Sequence, residues 1–233
     1  MALVQYEEQD SFVQITLDDG KANALSFQMA DELDSALDQA LASGKVTVLA
    51  GRPGKFSAGF DLSVMGQPGE NALKLLRRGA DIAGCVAHSE VPVIAAVTGH
   101  ALAMGALMCL AADYRIGVRG SFKLGLNEVA IGMTLPWFGI ELAQERVVEA
   151  HRHQVVSLAR IYDPDGAVEA GILDRCCEPA LLWPKLPPPQ RCSRSWTCRL
   201  SSAPRPACGR VLQAAGKRLW PGTLAEPLLT GWP

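Results

Sequence analysis

The feature that most constrains this chain is an alternation. Four short apolar runs, "SFVQITL" (11–17), "KVTVLAG" (45–51), "VPVIAAVTG" (91–99) and "YRIGV" (114–118), are separated by stretches of helical period. The first alternates apolar and polar side chains as a half-buried strand does; the second and third read as fully buried strands. Between the first two, Ser26 is placed to cap a helix whose apolar stripe is Met29, Leu33, Leu37 and Leu41, and Gly44 ends it. A second helix is expected over residues 70–88 and a third, rich in small residues, from about Met104. Two more run from about Trp137 to Leu158, and "DPDGAVEAGILDR" (163–175) reads as a turn, a short helix and a strand. Strands alternating with helices build a parallel sheet crossed by helices, so the chain is of the α/β class.

At 233 residues the chain suffices for one sizeable domain with a small appendage. The opening "MALVQYEEQD" lacks the basic flank and apolar core of a signal peptide, so a cytoplasmic location is expected. Residues 91–112 are long and uncharged enough to test as a membrane span. Pro92, Thr98, Gly99 and His100 interrupt them, however, and a buried strand, a turn and a buried helix is the better reading, with no membrane. The seven cysteines form no C-x-x-C pair, and His151 and His153 have no partner at metal-ligand spacing, so no metal is expected. There is no G-x-G-x-x-G, no phosphate-binding P-loop and no G-x-S-x-G.

Charge divides the chain in two. Residues 1–178 carry a net charge of −9, whereas residues 179–233 carry +7 and a single acid, Glu226. That tail also holds ten of the fifteen prolines and four of the five tryptophans. Abundant Pro, Arg, Cys, Ser and Trp with almost no acid is the composition of a shifted reading frame in a GC-rich gene. Residues 179–233 are therefore set apart as an atypical tail, an expectation that resequencing the gene tests. The tail offers the one basic surface for nucleic acid, and no nucleic-acid partner is expected.

Three stretches carry the chemistry. "KFSAGFDL" (55–62) is a strand and a turn whose glycine lets a ligand approach the backbone. In "GHALAMGALMCLAADYRI" (99–116) a run of Ala and Gly opens a helix with free N–H groups. "GLNEVAIG" (125–132) holds an acid, Glu128, in mostly apolar company. Two backbone N–H groups from separate loops make a receptor for a developing oxyanion, and a nearby carboxylate can remove a proton beside the carbonyl. In isolation each has a plainer reading. Glu128 could be a helix-start acid or a partner for Lys123, Asp61 a helix cap, His100 structural, and residues 101–106 a close helix contact.

Together these stretches resemble the enoyl-CoA hydratase/isomerase (crotonase) superfamily, with "NAL" at 23–25 also matching, over roughly residues 3–178. The resemblance implies a spiral of repeated ββα units, with C-terminal helices that would fall on the atypical tail and are the part open to disruption. It implies an acyl-CoA thioester as substrate, coenzyme A entering as part of that thioester with no cofactor bound permanently, and a homotrimer or hexamer. By position in the motifs, the enolate would be held by the N–H groups of Phe60 and Met104. The family usually has glycine at the latter site, so the Met104 side chain must point away. Contacts to substrate and coenzyme A would fall on Lys21, Ala22, Ala24, Ser57, Ala58, Asp61 and Leu62.

Hydratases of this family use two glutamates, and here Leu107 stands where the first would be. Glu128 remains, in a "GLNE" that resembles the mitochondrial Δ3,Δ2-enoyl-CoA isomerases. One carboxylate suffices to carry a proton from C2 to C4, so the resemblance favours an isomerase of fatty-acid metabolism over a hydratase or a non-catalytic acyl-CoA-binding relative. Val129, Ile131, Leu135, Trp137 and Phe138 are expected to supply the dry surroundings that raise the pKa of Glu128.

Overall fold

A computed structural model describes residues 2–67, 69–183 and 186. The expected helical C-terminal part and the tail from residue 187 onward lie outside the described residues. The first turn of chain comprises β1 (Val4–Glu8), β2 (Phe12–Leu17), β3 (Ala24–Leu25) and α1 (Phe27–Ser43). The second comprises β4 (Val46–Gly51), β5 (Gly54–Ser57), β6 (Gly59–Phe60), α2 (Leu62–Met65) and α3 (Glu70–Ala87). The third is β7 (Val93–Val97), β8 (Gly99–Leu102) and α4 (Met104–Ala111). Then come β9 (Tyr114–Val118), β10 (Leu124–Gly125), a 3-10 turn over Val129–Ile131 and α5 (Trp137–Arg146). The described chain closes with α6 (Glu149–Val156), α7 (Pro164–Glu169), β11 (Arg175–Cys177) and a second 3-10 turn, Pro179–Leu181.

The second and third turns each send their first strand to the large sheet and their second to a smaller one. The large sheet runs β1-β2-β4-β7-β9-β11, with only the β1–β2 pair antiparallel. The small parallel sheet runs β10-β8-β5, and β3 pairs with β6. This is the repeated ββα arrangement expected from the sequence. Both faces of the large sheet are covered, which is why β4 and β7 are buried throughout. Leu49, Val93, Ala95 and Val97 face a core shared with the helices, whereas Val46, Val48, Ala50, Ile94 and Ala96 face a second cluster with Ile116, Val118 and Leu182.

Local signals were followed closely in α1. The Ser26 hydroxyl accepts from Met29 N at 3.2 Å, and Gly44 (φ 68°) donates to Leu41 O at 3.1 Å. The corners that turn one strand into the next depend on glycine for a different reason. A Cβ on Gly51 would lie 2.2 Å from Lys55 O, and one on Gly99 would lie 2.0 Å from the Gly54 carbonyl carbon. Successive corners therefore stack backbone on backbone, joined by Gly54 N donating to Thr98 O at 2.9 Å. Behind them Arg115, a charge buried in the strand "YRIGV", is held by both oxygens of Asp174, at 2.6 Å and 2.9 Å, and by Gly171 O. No helix among the described residues is long and apolar enough to cross a membrane; residues 91–112 form β7, β8 and α4.

Candidate active site

Stacking of the corners brings three loops together at the C-terminal ends of the small-sheet strands. In the first, Gly59 takes a φ of 98°, and a Cβ there would lie 2.7 Å from Ala103 Cβ and 3.2 Å from Met104 N. Only glycine lets the β5–β6 loop come this close to the start of α4. The next amide but one, Asp61 N, donates to Leu25 O at 3.0 Å. Successive amides of an extended strand face opposite sides, so the Phe60 N–H turns away from β3.

In the second loop Ala103 adopts φ 47°, a conformation unusual for alanine, and α4 begins at the next residue. The first intrahelical bond of α4 is Leu107 N to Ala103 O, at 3.0 Å, so Met104 N–H lies in the first turn, where no intrahelical acceptor exists. The strain at Ala103 is held from outside: its own N–H donates to Gly125 O at 3.0 Å, tying α4 to β10. The Met104 side chain is fully buried, as its departure from glycine requires. Its Sδ and the Phe60 ring both pack toward Gly79 of α3, where a Cβ would lie 3.2 Å from the one and 2.5 Å from the other.

The third loop carries Glu128, three residues beyond β10. Its carbonyl accepts from Ile131 N at 3.1 Å and Met133 N at 2.9 Å, so the turn is fixed by its own backbone. The carboxylate is turned inward; the residue is 5% exposed, and neither oxygen has a hydrogen-bond partner among the described residues. Neither plainer reading of Glu128 accounts for its carboxylate: the residue stands at the N-cap position of the 3-10 turn, but its side chain bonds none of that turn's amides and is not paired with Lys123. Burial without compensation pushes its pKa from the ordinary 4.5 up to about 7, against a smaller opposing effect of its own backbone N–H. Beside it, Asn127 Oδ1 is also buried and without a partner among the described residues.

One expectation about Glu128 is corrected. Val129, Ile131 and Trp137, expected to keep it dry, are 46%, 47% and 53% exposed. The 3-10 turn lies on the surface and presents its own side chains outward while the carboxylate points in. Leu135 and Phe138 are buried as expected, and so is Leu126 on the other side in sequence. Leu107, one turn into α4, is fully buried against α5, where a Cβ on Gly139 would lie 3.1 Å from its methyl carbons. Neither acid of α5 replaces it: Glu141 accepts from Trp137 Nε1 at 2.9 Å on the exposed side of α5, and Glu145 is exposed.

The residues assigned to coenzyme A line two neighbouring segments. Lys21 is exposed, and its carbonyl accepts from the Arg52 guanidinium; Ala22 O accepts from Ala58 N at 3.0 Å; Ala24 pairs with Gly59. Ala58 and Leu62 are exposed, the latter by 62%. Two of the set are engaged within the fold. Ser57 is buried, donating to Asn23 O at 2.7 Å, and Asp61 caps α2, accepting from Ser63 N and Oγ at 2.9 Å and 2.7 Å. His100 is structural, its Nδ1 accepting from Lys123 N at 3.0 Å to join β8 to β10. The residue to which sequence reasoning gave no role, although it opens the matching "NAL", is Asn23. Fully buried at φ 52°, it donates to Leu17 O, Lys55 O and Phe56 O, at 2.8, 3.1 and 3.1 Å. It pins the 18–25 loop to β5; the signal in the sequence was an asparagine between two alanines in a turn, where a left-handed residue is tolerated. Among the described residues no cluster of His, Cys, Asp and Glu could hold a metal ion.

Comparison with known proteins adds a family to this geometry. A structure of an enoyl-CoA hydratase/isomerase family protein from Pseudomonas syringae superposes with a TM-score of 0.76 at 36% identity, covering 92% of this chain and 91% of that one. Human mitochondrial delta3-delta2-enoyl-CoA isomerase shares the fold, with a TM-score of 0.77 at 22% identity over 94% of this chain and 84% of that one. A probable enoyl-CoA hydratase of Mycobacterium avium is 32% identical over 164 residues, which make up 67% of this chain and 62% of the relative. Human mitochondrial enoyl-CoA delta isomerase 1 is 27% identical over 159 residues, 66% of this chain and 52% of the relative. The chain thus spans less than two thirds of the length of these two relatives. Residues 7–183 match the enoyl-CoA hydratase/isomerase family as a whole. With a spiral of ββα units, two loops meeting at Gly59 and a family match across most of its length, the chain belongs to the enoyl-CoA hydratase/isomerase family.

Proposed function

We propose that this chain is an acyl-CoA enzyme of fatty-acid metabolism that isomerises 3-enoyl-CoA to 2-enoyl-CoA. The observation that carries this reading is a buried carboxylate, Glu128, without a partner among the described residues, while Leu107, packed against α5, stands where the resemblance puts a hydratase's other acid. Glu128 removes a proton from C2 of the thioester. The N–H groups of Phe60 and Met104 hold the oxygen of the resulting dienolate. The protonated Glu128 then returns the proton at C4, and the double bond has moved. A base with a pKa near 7 suits both halves of this shuttle, because it is ionised enough to accept a proton and acidic enough to give it back. Each oxyanion donor is worth about 3 kcal/mol in the transition state.

The substrate brings coenzyme A with it, and its contacts fall on Lys21, Ala22, Ala24, Ala58 and Leu62, with no resident cofactor or metal in the mechanism. Assembly as a homotrimer or hexamer belongs to the same proposal. A hydratase reading is favoured by one observation, the name of the Mycobacterium avium relative. It requires a second group to orient water, and neither Leu107 nor the surface acids of α5 supply one.

The test is a paired assay of the wild type and Glu128→Gln. Each receives a 3-enoyl-CoA and, separately, a 2-enoyl-CoA in water, with products separated by chromatography. Conversion of the 3-enoyl to the 2-enoyl thioester, absent in the variant and without hydration, is the expected result. Hydration of the 2-enoyl-CoA would overturn the isomerase reading, and binding without turnover of either would leave an acyl-CoA-binding relative.

A further inference from the structure

The helix α3 has no residue in any of the three loops, yet it touches two of them at one point. Its core-facing stripe runs Leu75, Gly79, Ala83 and Val86, all buried. Glycine is among the poorest helix formers, and its place in the middle of an 18-residue helix calls for a packing reason. The surroundings supply it. A Cβ on Gly79 would lie 2.5 Å from Phe60 Cζ, 2.6 Å from Phe60 Cε1 and 3.2 Å from Met104 Sδ. The missing side chain is thus the slot that receives the side chains of both residues whose amides face the site. Gly84, in the same helix, differs in this respect: a Cβ there would meet nothing within 4 Å.

We infer that Gly79 is a positioning residue: by admitting the Phe60 ring and the Met104 thioether into one slot on α3, it sets the separation and aim of the two amides that hold the dienolate oxygen. This rests on the isomerase reading proposed above. A side chain on an N–H donor fixes the donor only if the side chain is itself fixed. Here the Phe60 ring anchors a two-residue strand, and the Met104 thioether anchors the first residue of α4. Filling the slot pushes both anchors off α3 and carries the amides with them. An oxyanion receptor is sensitive to such a movement, since displacements near 1 Å cost on the order of 100-fold in rate.

The experiment compares Gly79→Ala with Gly84→Ala, which makes the same gain in helix propensity in open space. Expected are a fall in kcat of about 10- to 100-fold in Gly79→Ala, with KM nearly unchanged, and wild-type rates in Gly84→Ala. Adding Phe60→Leu to Gly79→Ala shortens the displaced side chain without removing the amide, and it should restore most of the lost rate. In the 15N-labelled free protein, the amide resonances of residues 60 and 104 should move in Gly79→Ala and return in the double variant. Wild-type kcat in Gly79→Ala, or a loss that Phe60→Leu leaves unrelieved, would overturn the inference. If the wild type itself fails to isomerise, the functional reading falls and the amide resonances decide alone: movement of both sustains the positioning role, and no movement ends it.

Discussion

At pH 8 the Glu128→Gln variant should be markedly more stable than the wild type, and the advantage should vanish in acid. Glu128 is 5% exposed and neither carboxylate oxygen has a partner among the described residues, so its ionised form sits in the fold without the hydration it has in the unfolded chain. Each pH unit of pKa displacement corresponds to about 1.4 kcal/mol, and the rise from 4.5 to about 7 therefore amounts to about 3 kcal/mol. The direction follows from proton uptake. Between pH 4.5 and 7 the native carboxyl keeps its proton while the unfolded one loses it, so this group's contribution to stability falls as pH rises through that window and is flat above it. Glutamine reproduces the shape and the partnerless polar atoms of the protonated acid, and differs in lacking the charge. Comparing the two proteins cancels every other titrating group.

The gap should be about 3 kcal/mol at pH 8 and under about 1 kcal/mol at pH 5, which for a domain of this size is roughly 6–12 °C in melting temperature at the higher pH. Calorimetry or denaturant unfolding at both pH values measures it. A gap equal at pH 5 and pH 8, or no gap at either, would refute the claim that Glu128 is an uncompensated buried charge. Such a variant, more stable yet inactive, is the signature of a group retained for chemistry rather than for folding.

Three further outcomes follow from the same structure. The pH profile of kcat/KM for 3-enoyl-CoA should climb about tenfold per pH unit below about 7 and level off above it, because the base must be ionised; a limb near 4.5 would show that burial does not govern it. Asn23→Ala strips the donor from Leu17 O, Lys55 O and Phe56 O and should cost roughly 2–3 kcal/mol in urea unfolding, with activity lowered because the same loop borders Gly59. Asp174→Ala leaves the Arg115 guanidinium buried without its carboxylate; a loss of about 3–5 kcal/mol is expected, read as a lower denaturation midpoint with kcat unchanged in the folded protein.

Period and punctuation in the sequence were sufficient for the class of fold. Short, β-branched apolar runs such as "KVTVLAG" read as strands covered on both faces, and Ser26 and Gly44 bound α1 because capping is a local matter of a few residues. The motif around Glu128 was legible too, since an acid in apolar company stands out along a line of text. What the sequence alone could not distinguish was an ion pair with Lys123, a helix cap and a bare carboxylate; that depended on which way one side chain turned. The same limit explains the error at Val129, Ile131 and Trp137. Apolar residues next to Glu128 in sequence were read as its neighbours in space, whereas a surface turn faces them outward and sends the carboxylate in.

The sequence by itself determined the alternation of strands and helices, the three loops and the acid in apolar company in the third, because each of these is written within ten or so residues. Only the tertiary structure decided how the loops meet. The approach of Gly59 to Met104, the pin from Asn23 to Phe56, the hold of Asp174 on Arg115 and the slot at Gly79 join residues 19 to 59 positions apart. Such contacts are set by chain crossing and close packing, which leave no period in the sequence to be read.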